Sequence, residues 1–163
     1  MGKSVSFTGH RIAPFSFDSA KGHELMERLE NAIRTAISEG FDTFYTGMAM
    51  GFDIIAAEAV IRQRDKLSPH VRLHCIVPYK GQESKWNRLW RKRYDDVLIA
   101  ADDEEIRPLN DEYVLGCYQE RNRLLVERAD MLICFYSGKA GGTRHTVGLA
   151  VEKGMEIVNI WED

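Results

Sequence analysis

Residues 129–154 read ADMLICFYSGKAGGTRHTVGLAVEKG and contain the pattern that decides the fold. The apolar run from Met131 to Tyr136 predicts a buried strand, and the apolar residues that recur with helical spacing after the glycines predict a helix. In open α/β sheets, ligands bind outside the carboxyl ends of strands, where a following helix directs unpaired N–H groups and the positive end of its dipole. The stretch therefore predicts a strand, a glycine turn and a helix in an arrangement suited to a phosphate.

The turn itself supplies the groups that bind phosphate. Its glycines allow the backbone to approach a ligand closely, its hydroxyls can donate hydrogen bonds, and its arginine adds a positive charge. The residues concerned are Ser137, Gly138, Gly141, Gly142, Thr143, Arg144 and Thr146. Because any tight strand-to-helix turn also uses glycines, the stretch alone is compatible with a phosphate site or with a turn that binds nothing.

Size and composition limit the class of protein. A chain of 163 residues with 44% hydrophobic content is typical of one globular domain. The formal net charge of -3 argues against a protein that coats nucleic acid through bulk charge. The three cysteines form no CxxC pair, and no apolar run approaches the roughly 18 residues that span a bilayer. We expect a reduced, cytoplasmic protein with no membrane segment and no exported leader.

Strand and helix patterns alternate along the rest of the chain. Strands are predicted at 5–8, 42–46, 71–77, 104–109, 131–136 and 156–161, and helices from Asp18 or Ser19 to Gly40, around 54–61, at 84–100 and at 111–128. In the helix at 111–128, Leu115, Leu124, Leu125 and Val126 are the expected core contacts. This alternation predicts an α/β fold with a mainly parallel sheet and helices on both faces, but it does not give the strand order.

Four motifs stand at or near predicted strand ends. They are TGHR at 8–11, TGMAMGFD at 46–53, the segment with Pro78, Gln82 and Trp86, and AGGT at 140–143 followed by Thr146. Together they resemble the YpsA family of the SLOG superfamily, which also includes the lonely-guy cytokinin-activating enzymes and the DNA-processing protein DprA. The resemblance covers nearly the whole chain. It implies that residues 1–163 form a single Rossmann-like, three-layer domain that binds a nucleotide or a nucleotide derivative.

The resemblance also implies which residues face the ligand. They are Thr8, Gly9, His10 and Arg11 in the first motif, Gly47, Gly51 and Asp53 in the second, and Gly141, Gly142 and Thr143 in the last. In the lonely-guy enzymes a catalytic Glu follows the Gly-Thr pair by three residues, and this chain has Thr146 there. Without that carboxylate, the resemblance does not carry an enzymatic activity to this chain.

Other side chains have both a structural and a binding interpretation. Asp53 could cap the first turn of its helix or accept hydrogen bonds from a ribose. A base could stack on Trp86 or Tyr79, although Trp86 also fits a packing role beside the other aromatics of its helix. Arg121, with Asn122, could reach a phosphate.

The charged and histidine-containing segments give weaker signals. The basic run 85–93 could hold nucleic acid phosphates, but the acidic residues that follow it favour a self-compensating charged surface. The histidines are scattered, and only His70 and His74 lie four residues apart, an even offset that puts both on one side of an extended segment. We expect no metal site.

Three functions follow as hypotheses. The first is a nucleotide-binding or nucleotide-sensing protein that needs no cofactor and holds phosphate at Gly141–Thr143. The second is a hydrolase of an N-glycosidic or phosphate bond, for which Asp53 and Glu58 are the candidate carboxylates, although they lie about 140° apart on an ideal helix. The third is a single-stranded DNA-binding module whose affinity falls steeply with salt. A homo-oligomer is possible in each case.

Overall fold

The computed structural model of the chain describes residues 2–11, 18–103 and 108–162. Within these residues, five strands form one sheet and five helices flank it. The elements, in chain order, are β1 (Lys3–Gly9), α1 (Ala20–Ser38), β2 (Phe41–Thr46), α2 (Phe52–Lys66), β3 (Arg72–Cys75), α3 (Arg88–Ala100), α4 (Cys117–Glu127), β4 (Met131–Phe135), α5 (Gly142–Lys153) and β5 (Glu156–Asn159).

The strands lie in the order β3-β2-β1-β4-β5, and every neighbouring pair is parallel. The chain proceeds outward from β1 to β3 and then crosses to the other side of β1 to form β4. The connections that leave β1 and β4 therefore run in opposite directions, which opens a crevice at their carboxyl ends. The predicted α/β class is confirmed, and the strand order identifies where a ligand site is expected.

Both faces of the sheet are covered, as the alternation along β4 shows. Met131, Ile133 and Phe135 belong to the main core, together with residues of α1, α2 and α3. Leu132 and Cys134 belong to a smaller cluster that includes Val126 of α4 and Ala150 of α5. The three-layer arrangement is confirmed, with three helices on one face and two on the other.

Helix α1 agrees closely with its sequence pattern. The hydroxyl of Ser19 caps it by accepting a hydrogen bond from the N–H of Gly22 at 3.2 Å. Leu25 and Leu29 are fully buried on its inner face, and Gly40 follows its end with a left-handed φ of 96°. The predicted start, buried face and end of this helix are therefore confirmed.

Two helices begin later than predicted. Helix α3 starts at Arg88 because the side chain of Asn87 caps it by accepting a hydrogen bond from the N–H of Trp90 at 3.0 Å. Helix α4 starts only at Cys117 because Gly116 has a left-handed φ of 87°. The prediction that Leu115 contacts the core is wrong, since this residue precedes the helix and is 94% exposed.

The predicted strand at 104–109 falls mostly on residues 104–107, which lie outside the described residues, as do residues 12–17 of the predicted loop before α1. Pro108 and Leu109 are described and belong to no strand, although the N–H of Leu109 donates to the carbonyl of Val77 at 2.9 Å. Strands β3 and β5 are each shorter than predicted.

The three cysteines are buried and free. Within the described part of the chain, no helix combines the length and apolar character needed to cross a bilayer.

Candidate functional site

A cavity of about 220 Å³ opens at the carboxyl ends of β1 and β4, at the switch point of the sheet. We call it the crevice. Its lining comes from the ends of β1 and β2, the first turns of α2 and α5, and one face of α4. The lining residues are Thr8, Gly9, His10, Arg11, Ala49, Asp53, Arg121, Asn122, Leu125, Gly141, Gly142 and Thr143. The structure thus brings together nine of the predicted site residues from distant parts of the sequence.

Two glycines allow the first and second motifs to pack directly against each other. A Cβ atom at Gly9 would lie 2.4 Å from the ring of Phe52, the first residue of α2. At Gly51, where φ is +94°, a Cβ atom would lie 2.3 Å from the carbonyl oxygen of Arg11. The absence of side chains at these positions brings Arg11 close to the start of α2 and hence to Asp53.

His10 is held in one tautomer by Ser137. Its Nε2 atom accepts a hydrogen bond from the backbone N–H of Ser137 at 2.9 Å, and the Ser137 hydroxyl lies 2.9 Å from the same nitrogen. A nitrogen that accepts cannot carry a proton, so the neutral ring is protonated at Nδ1. Burial lowers the pKa of His10, and the positive charge of Lys139 lowers it further. His10 therefore contributes a neutral imidazole to the crevice.

Arg121 is the buried cation of the site, with an exposed fraction of 7%. Its Nη1 atom donates to the carbonyl of Gly47 at 2.6 Å, and its Nε atom donates to the side-chain oxygen of Asn122 at 2.9 Å. Among the described residues, these are the protein partners of two of its five N–H donors. The remaining donors have no hydrogen-bond partner among the described residues, and Arg121 lines the crevice.

Asp53 is the carboxylate of the site and is only 5% exposed. Its Oδ2 atom accepts a hydrogen bond from the N–H of Ala49 at 3.2 Å, whereas its Oδ1 atom has no hydrogen-bond partner among the described residues. Burial raises the pKa of Asp53 to about 6, although Arg121, the Ala49 N–H and Arg11 each favour the charged form. A buried acceptor without a partner is costly, so a ligand hydroxyl that donates to Oδ1 would be stabilising.

Helix α5 begins in the crevice. Its first residue is Gly142, and its N-cap, Gly141, has a φ of 142° and provides no side-chain cap. A Cβ atom at either glycine would meet no atom of the described residues within 4 Å, so no described residue fills the space in front of the helix. Thr143 lies beside this space and is 7% exposed. An uncapped helix N-terminus that faces open space can bind an anion through its N–H groups.

Four predicted site residues support the crevice without lining it, and one of them is Gly51, whose close approach to Arg11 is described above. The carbonyl of Gly47 anchors Arg121, and Ser137 orients His10, as described above. Thr146 is fully buried, and its hydroxyl donates to the carbonyl of Gly142 within the same helix at 3.2 Å.

Two other predicted site residues lie away from the crevice. The side chain of Arg144 is exposed and does not contribute to the lining. Trp86 is half-buried against the main core, with its ring edge-on to Tyr94 at a centroid distance of 5.4 Å. Sequence reasoning missed Ala49, although it lies inside the TGMAMGFD motif, and Leu125, which lies one helical turn after Arg121 on the same face of α4.

The second candidate carboxylate, Glu58, is engaged elsewhere. It pairs with Arg93 of α3, whose Nε atom donates to Glu58 Oε2 at 3.0 Å. In the same basic run, Lys92 pairs with Asp96 at 2.8 Å. These contacts neutralise part of the basic run, and they leave Asp53 as the carboxylate that lines the crevice.

The two histidines that lie four residues apart, His70 and His74, are not paired with each other. His74 lies 2.6 Å from Asp103, and His70 precedes β3. Across residues 2–11, 18–103 and 108–162, no group of three His, Cys, Asp or Glu side chains is placed to hold a metal ion.

Comparison with known sequences identifies relatives along almost the whole chain. The family model for YpsA, described as the YspA SLOG family, matches residues 5–157. A UPF0398 protein of Halalkalibacterium halodurans is 30% identical over 147 residues, which cover 86% of this chain and 76% of the relative. The UPF0398 protein YpsA of Bacillus subtilis is 22% identical over 158 residues, covering 93% and 86%. The predicted resemblance is thereby confirmed.

Comparison with solved structures supports the fold. DprA from Streptococcus pneumoniae matches 96% of this chain with a TM-score of 0.63 and 16% identity, and this chain spans 49% of its length. DprA from Helicobacter pylori, described with its single-stranded DNA binding mode, matches with a TM-score of 0.61 and 17% identity, and this chain spans 64% of it. At such low identity, these matches show a shared Rossmann-like fold.

Proposed function

The chain belongs to the YpsA family of SLOG proteins, and we propose that its crevice binds the phosphate of a nucleotide or a nucleotide derivative. The observation that carries this proposal is the N-terminus of α5, which enters the crevice and which, among the described residues, has no side-chain cap and meets no atom in front of Gly141 and Gly142. The helix has 12 residues, enough for its N–H groups and dipole to attract an anion.

The charges around this helix end support an anionic ligand. Arg11 and Arg121 both line the crevice, and Asp53 is its one carboxylate among the described residues. Since His10 is neutral, the charged side chains of the lining carry a net positive charge when Asp53 is ionised. The donors of Arg121 that have no partner among the described residues are suited to phosphate oxygens.

Asp53 favours a ligand that carries hydroxyls as well as phosphate. Its Oδ1 atom is a buried acceptor without a partner among the described residues, it belongs to a residue that lines the crevice, and a sugar hydroxyl is a donor of suitable size. A phosphorylated sugar, as in a nucleotide, would satisfy both the helix N-terminus and Asp53. This combination supports a nucleotide over inorganic phosphate alone.

The test is a matched pair of glycine substitutions in α5. Gly142 and Gly148 have ordinary helical φ values, and a Cβ atom at either meets no atom of the described part of the chain within 4 Å. Both alanine variants should therefore fold, but only Gly142→Ala places a methyl group in the crevice. We expect AMP, ADP, ATP, NAD, ADP-ribose or a cyclic dinucleotide to raise the melting temperature of the wild type and of Gly148→Ala.

At about 100 times its dissociation constant, such a ligand adds about 2.7 kcal/mol of stability. Gly142→Ala should lose most of this gain because its methyl group occupies the space of the phosphate. Equal stabilisation of the two variants would place the ligand elsewhere.

A second candidate function, hydrolysis of a bond in the bound nucleotide, is favoured by one observation. Asp53 lines the crevice, and burial raises its pKa to about 6, which suits a group that donates or accepts a proton near neutral pH. If this activity exists, chromatography of a nucleotide incubated with the wild type should show free base or free phosphate. Asp53→Asn should abolish that release, and release that persists in this variant would exclude Asp53 as the acid or base.

A further inference from the structure

Three tyrosines from separate segments meet beside the crevice. Tyr79 follows β3, Tyr113 precedes α4, and Tyr118 lies in the first turn of α4. The ring centroids are 5.6 Å apart for Tyr79 and Tyr113, 6.1 Å for Tyr79 and Tyr118, and 6.2 Å for Tyr113 and Tyr118. We call these residues the tyrosine cluster.

The tyrosine cluster is joined to the crevice through two arginines. The guanidinium carbon of Arg11 lies 5.8 Å from the centroid of the Tyr118 ring, and that of Arg121 lies 5.7 Å from it. Both arginines line the crevice. A ligand whose phosphate contacts these arginines would therefore have aromatic surface directly beside it.

Hydrogen bonds hold the segments of the tyrosine cluster together. The side-chain N–H₂ group of Asn110 donates to the carbonyl of Pro78 at 3.0 Å and to Glu120 at 3.1 Å. The hydroxyls of Tyr79 and Tyr118 are 3.5 Å apart, and this contact raises the pKa of Tyr79 to about 12, so the phenol is neutral at physiological pH. The aromatic surface is therefore formed before any ligand arrives.

This surface is also exposed beyond the crevice. Tyr113 is 55% exposed, and the next two residues, Val114 and Leu115, are 42% and 94% exposed. The crevice, at about 220 Å³, is smaller than the roughly 300–1,000 Å³ of typical small-molecule pockets. A whole nucleotide would extend out of it, across a neighbouring surface.

We propose that the tyrosine cluster is the binding site for the aromatic base of the ligand, in continuity with the phosphate at α5. The inference rests on the proposed function, because Arg11 and Arg121 place the tyrosine cluster next to the ligand only if the phosphate of that ligand occupies the crevice. Every base has a π face that stacks on an aromatic side chain, so this contact adds affinity with little preference for the base. The base belongs to a free nucleotide or to a single strand, and the two sources share this stacking chemistry.

The test uses Tyr113, whose exposure allows substitution without disturbing the core. Calorimetric titrations with AMP and with ribose 5-phosphate, which lacks only the base, are compared for the wild type, Tyr113→Ser and Tyr113→Phe. We expect the base to improve wild-type affinity about 5- to 150-fold. Tyr113→Ser should lose much of this gain with unchanged affinity for ribose 5-phosphate, and Tyr113→Phe should retain it because the ring is kept.

The outcomes separate this inference from the proposed function. If ribose 5-phosphate and AMP bind the wild type equally, or if Tyr113→Ser binds AMP as the wild type does, the phosphate site stands and the base site is overturned. A titration with a thymidine oligonucleotide tests whether the base comes from a single strand. If the oligonucleotide binds the wild type but not Tyr113→Ser, and AMP binds neither protein, the base belongs to a single strand. If none of the three ligands binds the wild type, both proposals are overturned.

Discussion

Gly9→Ala is expected to destabilise the folded protein by about 2–3 kcal/mol, through overpacking of the core. The new Cβ atom would lie 2.4 Å from the ring of Phe52, which is fully buried. That ring cannot move aside easily, because it stacks on Phe135 at a centroid distance of 5.7 Å and meets Phe7 edge-on at 6.4 Å. Urea unfolding followed by circular dichroism measures the change in the free energy of unfolding.

Gly148→Ala is the matched control for this prediction. Gly148 is exposed within α5, and a Cβ atom there meets nothing within 4 Å. Because alanine favours a helix over glycine, this variant should be more stable than the wild type by about 0.5–1 kcal/mol. A Gly9→Ala variant as stable as the wild type would contradict the close packing of β1 against α2.

Asp53→Asn is expected to gain stability relative to the wild type as the pH rises. For the ligand-free protein, the difference in unfolding free energy between the variant and the wild type should be about 3 kcal/mol more favourable to the variant at neutral pH than in acid. Burial raises the pKa of Asp53 from 3.8 to about 6, and a pKa difference of one corresponds to about 1.4 kcal/mol. Between these two values, the folded protein binds more protons at Asp53 than the unfolded chain does. Ionisation of Asp53 therefore reduces stability as the pH rises from 4 to 6, and the full cost is present above pH 6.

Asparagine does not ionise and keeps an oxygen that accepts from the N–H of Ala49. The difference in unfolding free energy between Asp53→Asn and the wild type should grow in favour of the variant from pH 4 to 6 and then become constant. Urea titrations at several pH values measure this difference. A variant that becomes relatively less stable as the pH rises would show that attraction to Arg121 outweighs burial at this site.

The strand, glycine turn and helix at 129–154 were predictable from local pattern, as was the capped and amphipathic helix α1. The strand order was not predictable, because the alternation of strands and helices indicates parallel pairing but does not show which strands are neighbours. The crevice depends on that order, since β1 and β4 are adjacent although more than 120 residues separate them. The motifs at the ends of these strands nevertheless indicated several of the residues that line the crevice.

The arginines show why the rest of the site was harder to predict. Arg144 follows the glycine turn directly in sequence, but its side chain is exposed on α5. Arg121, which precedes Gly141 by 20 residues, lines the crevice because α4 packs beside α5. The buried face of α4 is set by its packing against β1 and α5, and the local sequence pattern of α4 does not reveal that packing.

Amide chemical-shift mapping by ¹H–¹⁵N NMR, with AMP titrated into the wild type, tests the phosphate site most directly. The proposed site predicts the largest shifts at the N–H groups of Gly142 and Thr143, with further changes at His10 and at the side-chain N–H of Arg121. Ribose 5-phosphate should shift the same amides of α5. Shifts confined to other surfaces, such as the charged groove at Arg88 and Arg91 of α3, with the amides at the start of α5 unchanged, would contradict the assignment of the crevice as the phosphate site.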